Sequence, residues 1–123
     1  MTVGPVLSAG EIADLTLRIH LERRRTVDRI EQLRRTFDQI ASAAAIAPPD
    51  DEHDPEGATV GFERAQVSSL LAAARRHLTD LDDALARLGT GAAGRCRACD
   101  QPIGIERLRA RPAAGACVVC AAG

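Results

Sequence analysis

Four cysteines stand in two pairs, Cys96-x2-Cys99 and Cys117-x2-Cys120, with 17 residues between the pairs. A Cys-x-x-Cys turn presents two thiolates from one bend of the backbone. A spacer of about 15–20 residues lets the second turn fold back on the first, which is the ligand spacing of a four-cysteine zinc site. All four cysteines of the chain are used and none is left over. Four ligands fill a tetrahedron and leave no position for water, so this spacing predicts one structural Zn2+ on Cys96, Cys99, Cys117 and Cys120 and no catalytic metal. The competing reading of two disulfides needs an oxidising compartment. Met1 to Gly10 has neither the basic start nor the apolar run of a secretory segment. A thioredoxin-like pair would need a βαβ surround, for which the segment is too short.

The second concentration of chemistry is acidic. Asp50, Asp51, Glu52, Asp54 and Glu56 place five carboxylates in the seven positions 50–56, with His53 among them. A charge run of this kind is ordinarily a solvated loop, and its meaning depends on what holds it.

Two long helical patterns flank the run. Ser8 and Glu11 have the spacing of a capping box. From there Ile12, Ile19, Ile30, Leu33, Phe37, Ile40 and Ala44 fall on a heptad-type line that Thr16, Arg23 and Thr26 must complete, a seam with a polar middle. Pro48 and Pro49 end that helix near Ala47. A second helix is expected from Asp54 as N-cap and Pro55 as first helical residue. Its seam is cleaner: Val67, Leu71, Ala74, Leu78, Leu81, Leu85 and Leu88, with Gly89 as C-cap. Arg75, Arg76, Asp80, Asp82, Asp83 and Arg87 read as its solvated face.

The fold class expected is mainly α: a long antiparallel two-helix coiled-coil hairpin over residues 8–89, followed by a small C-terminal zinc finger with four cysteine ligands over 92–123. The acidic run at 50–56 then lies at the hairpin tip. With two aromatics, Phe37 and Phe62, and much of its apolar content in alanine, the chain suits a narrow helical seam better than a large globular core. Between the cysteine pairs, Pro102, Ile103, Ile105, Leu108 and Pro112 supply a miniature core around the metal, too little to stay folded without it.

The formal net charge of −1 and the absence of Trp and Tyr argue against nucleic acid as the main target. No stretch approaches the ~18 apolar residues of a membrane span, and the default location is the cytoplasm. There is no phosphate-binding glycine loop, free cysteine or His–nucleophile pair, so an enzyme is not expected. The polar seam positions argue for a monomer.

The segment Gly94-Arg95-Cys96-Arg97-Ala98-Cys99, then Pro102-Ile103, then Arg107-Leu108-Arg109-Ala110-Arg111-Pro112, then Cys117-Val118-Val119-Cys120 resembles the DksA/TraR family of zinc-finger transcription regulators. The hairpin before it fits the same family. The resemblance implies a partner, bacterial RNA polymerase, whose secondary channel the hairpin enters so that acidic residues at the tip approach the active site. It implies a tip pattern Asp-x-x-Asp-x-Ala. Here Asp51 and Asp54 keep both aspartates, and Glu56 stands where Ala is usual. Ala93 replaces a common Tyr, Asp100 replaces a common Gly, and the C-terminal helix of longer members is not expected. Sequence-specific DNA binding is not implied, nor is nucleotide binding predicted. The alternative is a zinc-ribbon adaptor that contacts nucleic acid or another protein through its Arg-rich finger, with the hairpin as an interaction module. Co-purification of core RNA polymerase separates the two.

Overall fold

The structure, a computed structural model, describes residues 6–46 and 55–122. Among the described residues four helices follow one another: α1 (Ala9–Ile46), α2 (Pro55–Leu88), α3 (Ile105–Ala110) and α4 (Val118–Ala122). Among the described residues there is no strand, only an isolated antiparallel bridge between Arg95 and Pro102. The two long helices form the expected hairpin and the cysteine segment follows it.

Local chemistry sets the helix ends. Ser8 Oγ accepts from the Glu11 amide at 3.0 Å, and Glu11 Oε1 accepts from the Ser8 amide at 2.8 Å, completing the capping box. Leu7 before the cap and Ile12 in the next turn share one apolar cluster, as in a hydrophobic staple. α1 is described as far as Ile46 and α2 from Pro55, so the expected helix end near Ala47 and the Asp54 cap lie outside the described residues. The far end of α2 is different. Gly89 does not adopt a left-handed conformation. Instead, the Gly89 and Thr90 amides bond the carbonyls of Ala86 and Arg87, and Thr90 Oγ1 also donates to Arg87 O at 2.8 Å. Tightened turns and a hydroxyl thus satisfy the last carbonyls without a glycine cap.

The chain divides into two compact units: residues 1–25 with 77–123, and residues 26–76. In the second unit Thr26 and Ala74 are buried, and Ile30, Leu33, Phe37, Ile40, Val67 and Leu71 are half-buried, as the seam predicts. Ala44 is exposed, so the apolar line on α1 ends at Ile40 and Ala41. Phe62 is 71% exposed and contributes nothing to the core.

In the first unit Ile19 and Leu81 are almost wholly buried on the seam, and Leu78, Leu85 and Leu88 are half-buried. The polar seam positions Thr16 and Arg23 find partners, one within the helix and one across the interface. Thr16 Oγ1 donates to Ile12 O at 2.7 Å, and Arg23 Nε pairs with Asp82 Oδ1 at 2.7 Å. Asp82 therefore serves an interhelical ion pair and is not simply part of a solvated face. Both partners are well exposed, which holds such a pair to about 0–1 kcal/mol. His77 Nε2 lies 3.4 Å from Glu22 Oε1 across the same interface.

One residue of α1 departs from the heptad line. Leu15 is 1% exposed, more deeply buried than any seam residue of α1 except Ile19. It belongs to a cluster with Leu7, Ala93, Cys96, Ile103 and Leu108, against which Ile12, Leu88 and Ile105 pack. The core expected within the cysteine segment is therefore not self-contained. Ile103 and Leu108 are buried, Pro102 is exposed, and the base of the hairpin supplies the rest. A segment of some thirty residues cannot bury enough surface on itself, so it borrows apolar surface from its neighbour.

Candidate metal centre

The first cysteine pair sits on a tight bend built by backbone hydrogen bonds. The Asp100 amide donates to Cys96 O at 2.9 Å, and the Cys96 amide donates to Gln101 O at 2.8 Å. Asp100 takes φ 61° to close that bend, a left-handed conformation that explains why glycine suits this place better. Gly94, just before the first cysteine, takes φ 81° and passes under Leu7, where a Cβ would come within 2.8 Å of the Leu7 Cγ. Its carbonyl accepts from the Ile103 amide at 2.8 Å.

The second pair is carried by a helix start. Cys117 immediately precedes α4, its carbonyl accepts from the Ala121 amide at 2.9 Å, and its Sγ accepts from the Cys120 amide at 3.5 Å. The second pair is thus carried into the short helix α4, which contains Cys120. Three arginines brace the approaches. Arg107 Nε donates to Ala116 O at 3.0 Å, and the Arg97 amide donates to Gly115 O at 2.9 Å. Arg87 reaches from α2 to the carbonyls of Arg95 and Gly115. Arg87 is half-buried and is not part of a solvated face, contrary to its sequence reading.

These devices bring the four sulfurs together: the ligand atoms of Cys96, Cys99, Cys117 and Cys120 all lie within 4.8 Å of one another. The Cys99 and Cys117 sulfurs are 3.8 Å apart, and no disulfide forms. A tetrahedral ion with metal–sulfur bonds of about 2.3 Å requires sulfur–sulfur separations of roughly 3.8 Å. The cluster can hold a metal ion, and its donor set is soft, closed and four in number.

Electrostatics point the same way. The backbone amide of Cys117 and then that of Cys99 hold the Cys96 thiol down at about 6. The Cys120 amide holds Cys117 below its ordinary value. Cys120 is pushed up to about 12, first by the Cys117 sulfur and then by Cys99 and Cys96. Cys99 also ends above its ordinary value: the Gln101 amide pulls it down, but desolvation and the Cys96 sulfur outweigh that pull. Four sulfurs this close cannot all ionise without a cation between them, whereas a divalent ion removes the conflict at once.

Asp50, Asp51, Glu52 and Asp54 lie outside the described residues, as does His53, and Glu56 falls in the first turn of α2. Sequence reading missed Leu7, Leu15 and Arg87. Leu7 was legible as the apolar residue before a capping box. Leu15 was legible as part of a second line, Ile12-Leu15-Ile19. Nothing in the sequence marks Arg87.

A two-helix hairpin that carries a four-cysteine module at its base defines a recognisable architecture. The transcription factor DksA2 from Pseudomonas aeruginosa has the same fold: its solved structure superposes with a TM-score of 0.75 at 24% identity, over 94% of this chain and 83% of that one. The resemblance read from the cysteine segment is thus met by the fold of nearly the whole chain. No protein-family model matches the chain, and no curated protein matches it. No helix among the described residues is long and apolar enough to cross a membrane.

Proposed function

We propose that this chain is a DksA-type transcription regulator that binds bacterial RNA polymerase and acts through the hairpin. The observation that carries this reading is the likeness to a DksA2 transcription factor over 94% of the chain, hairpin and cysteine module together. The hairpin enters the secondary channel, and the carboxylates of Asp51 and Asp54, with Asp50, Glu52 and Glu56 beside them, approach the active site. Mg2+ takes carboxylate and water oxygens, so a negative tip near a metal-bearing active site can perturb that ion or the groups around it. The chain acts by binding, as a cytoplasmic monomer without catalysis of its own.

Zn2+ is the ion proposed for Cys96, Cys99, Cys117 and Cys120, one per chain. It supplies a tie between two short backbone bends and, with four protein ligands, no open position for chemistry. Its binding energy is then folding energy for residues 92–123.

In vitro transcription paired with a polymerase-binding assay tests the proposal, using wild type and the double variant Asp51→Asn with Asp54→Asn. Asparagine caps a helix nearly as well as aspartate, so the substitution removes two charges and leaves the start of α2 supported. The wild type is expected to bind core polymerase and change transcript yield, and the double variant to bind but lose that effect. Full regulation by the double variant would reduce the tip to a solubilising loop. Failure of the wild type to bind polymerase would overturn the function.

A further inference from the structure

We infer that Arg87 is a positioning residue for the metal site, which holds the two cysteine bends at the separation where their sulfurs converge. The inference rests on the metal reading above and extends it to a residue outside the cysteine segment. Arg87 lies in the last turn of α2 and is half-buried. Its Nη2 donates to Arg95 O, the carbonyl directly before Cys96, and its Nη1 reaches Gly115 O at 3.5 Å, two residues before Cys117. One planar guanidinium therefore grips the approaches to both bends. Gly115 O also accepts from the Arg97 amide at 2.9 Å, so the gripped carbonyl is already bonded to the loop between Cys96 and Cys99.

The physical consequence is a link between metal retention and the hairpin. A metal site is held by its ligands and by the groups that orient them, and loss of an orienting partner commonly costs about 10–100-fold in affinity. Arg87 orients backbone and not a ligand side chain, so its effect reaches the sulfurs through the two bends. Without the fork, the two approaches lose a shared anchor on α2, and each bend can relax away from the metal. A cation in the final turn of α2 is also favourably placed against that helix's carbonyl end.

Transfer of zinc from the full chain to a chromogenic chelator tests this. The variants are Arg87→Met, which keeps length but donates nothing, and Arg87→Lys, which keeps charge but lacks the fork. Arg76→Met, at an exposed position of α2, is the control. Arg87→Met is expected to release zinc about 10–100-fold faster than wild type, with Arg87→Lys between them and Arg76→Met at the wild-type rate. Helix content with excess zinc should be the same in all four. In the cobalt-loaded protein the ligand-field bands should shift for Arg87→Met and not for Arg76→Met.

Release at the wild-type rate from Arg87→Met overturns the inference, and so does equal acceleration by Arg76→Met. If Arg87→Met does not fold, Arg87→Lys decides, and an unchanged release rate from it overturns the inference equally. A wild type that retains one zinc beside unaffected variants removes only the role of Arg87. A wild type that binds no zinc removes the metal reading beneath it.

Discussion

Gly94 offers a sharp test of how the metal module meets the hairpin. A methyl group there faces two separate penalties. The first is the backbone: φ is 81°, a region that costs an L-residue about 1–2 kcal/mol more than glycine. The second is space. The new Cβ would stand 2.8 Å from Leu7 Cγ and 3.1 and 3.2 Å from its two methyls. Leu7 is only 4% exposed and cannot swing aside, so overpacking adds about 1–3 kcal/mol. Gly94→Ala should therefore cost about 2–5 kcal/mol in total. Leu7→Ala alone should cost about 2–5 kcal/mol, as for other buried leucines. In the double variant the steric penalty disappears and only the backbone penalty is added to the loss of Leu7. The two changes should couple by about 1–3 kcal/mol in a double-mutant cycle, the double variant being less damaged than the sum. Urea or thermal melts with zinc present measure it. Additivity to within about 0.5 kcal/mol would mean that Leu7 does not lie over Gly94 and that the docking is wrong. A neutral Gly94→Ala would refute the left-handed backbone as well.

Other outcomes follow from the same geometry. Leu15→Ala should destabilise the first unit by about 2–5 kcal/mol and speed zinc release, whereas Leu17→Ala, 60% exposed, should stay within about 0.5 kcal/mol in the same melts. Asp100→Gly should raise stability by up to about 1 kcal/mol by relieving its φ of 61°, and a lower melting temperature would count against the bend as described. Zinc occupancy should fall steeply as pH falls. The Cys96 contribution is full above its ordinary 9.0 and lost as pH falls through about 6, while Cys120, which keeps its proton up to about 12, is where acid competes hardest with metal. Equilibrium dialysis from about pH 8 to about pH 5 checks this, and constant occupancy over that range would contradict a four-thiolate site.

Much of the fold was already written in residue spacing. The capping box at Ser8 and Glu11 and all seven seam residues from Val67 to Leu88 depend on neighbours within one or two helical turns, or on one helix facing another. Short-range hydrogen bonds and a two-body interface are periodic in sequence, so they can be read from it. The four cysteines were legible for a related reason: ligand type and spacing are dictated by the size and softness of an ion.

What spacing could not reveal is everything that depends on a third body. A heptad line describes two helices and has no place for the cysteine segment, which is why Leu15 stood off the line and yet is buried at the junction. Arg87 looked like one more solvated charge because its acceptors are backbone carbonyls, and carbonyls have no sequence signature. Arg23 and Asp82 find each other across 59 residues for the same kind of reason. The left-handed turn at Asp100 emerges only when the first cysteine bend closes. Local order in this protein is a property of periodic residue types. The docking of the four-cysteine module on the hairpin is decided by shape, because so short a segment must complete its core with side chains that the hairpin already owns.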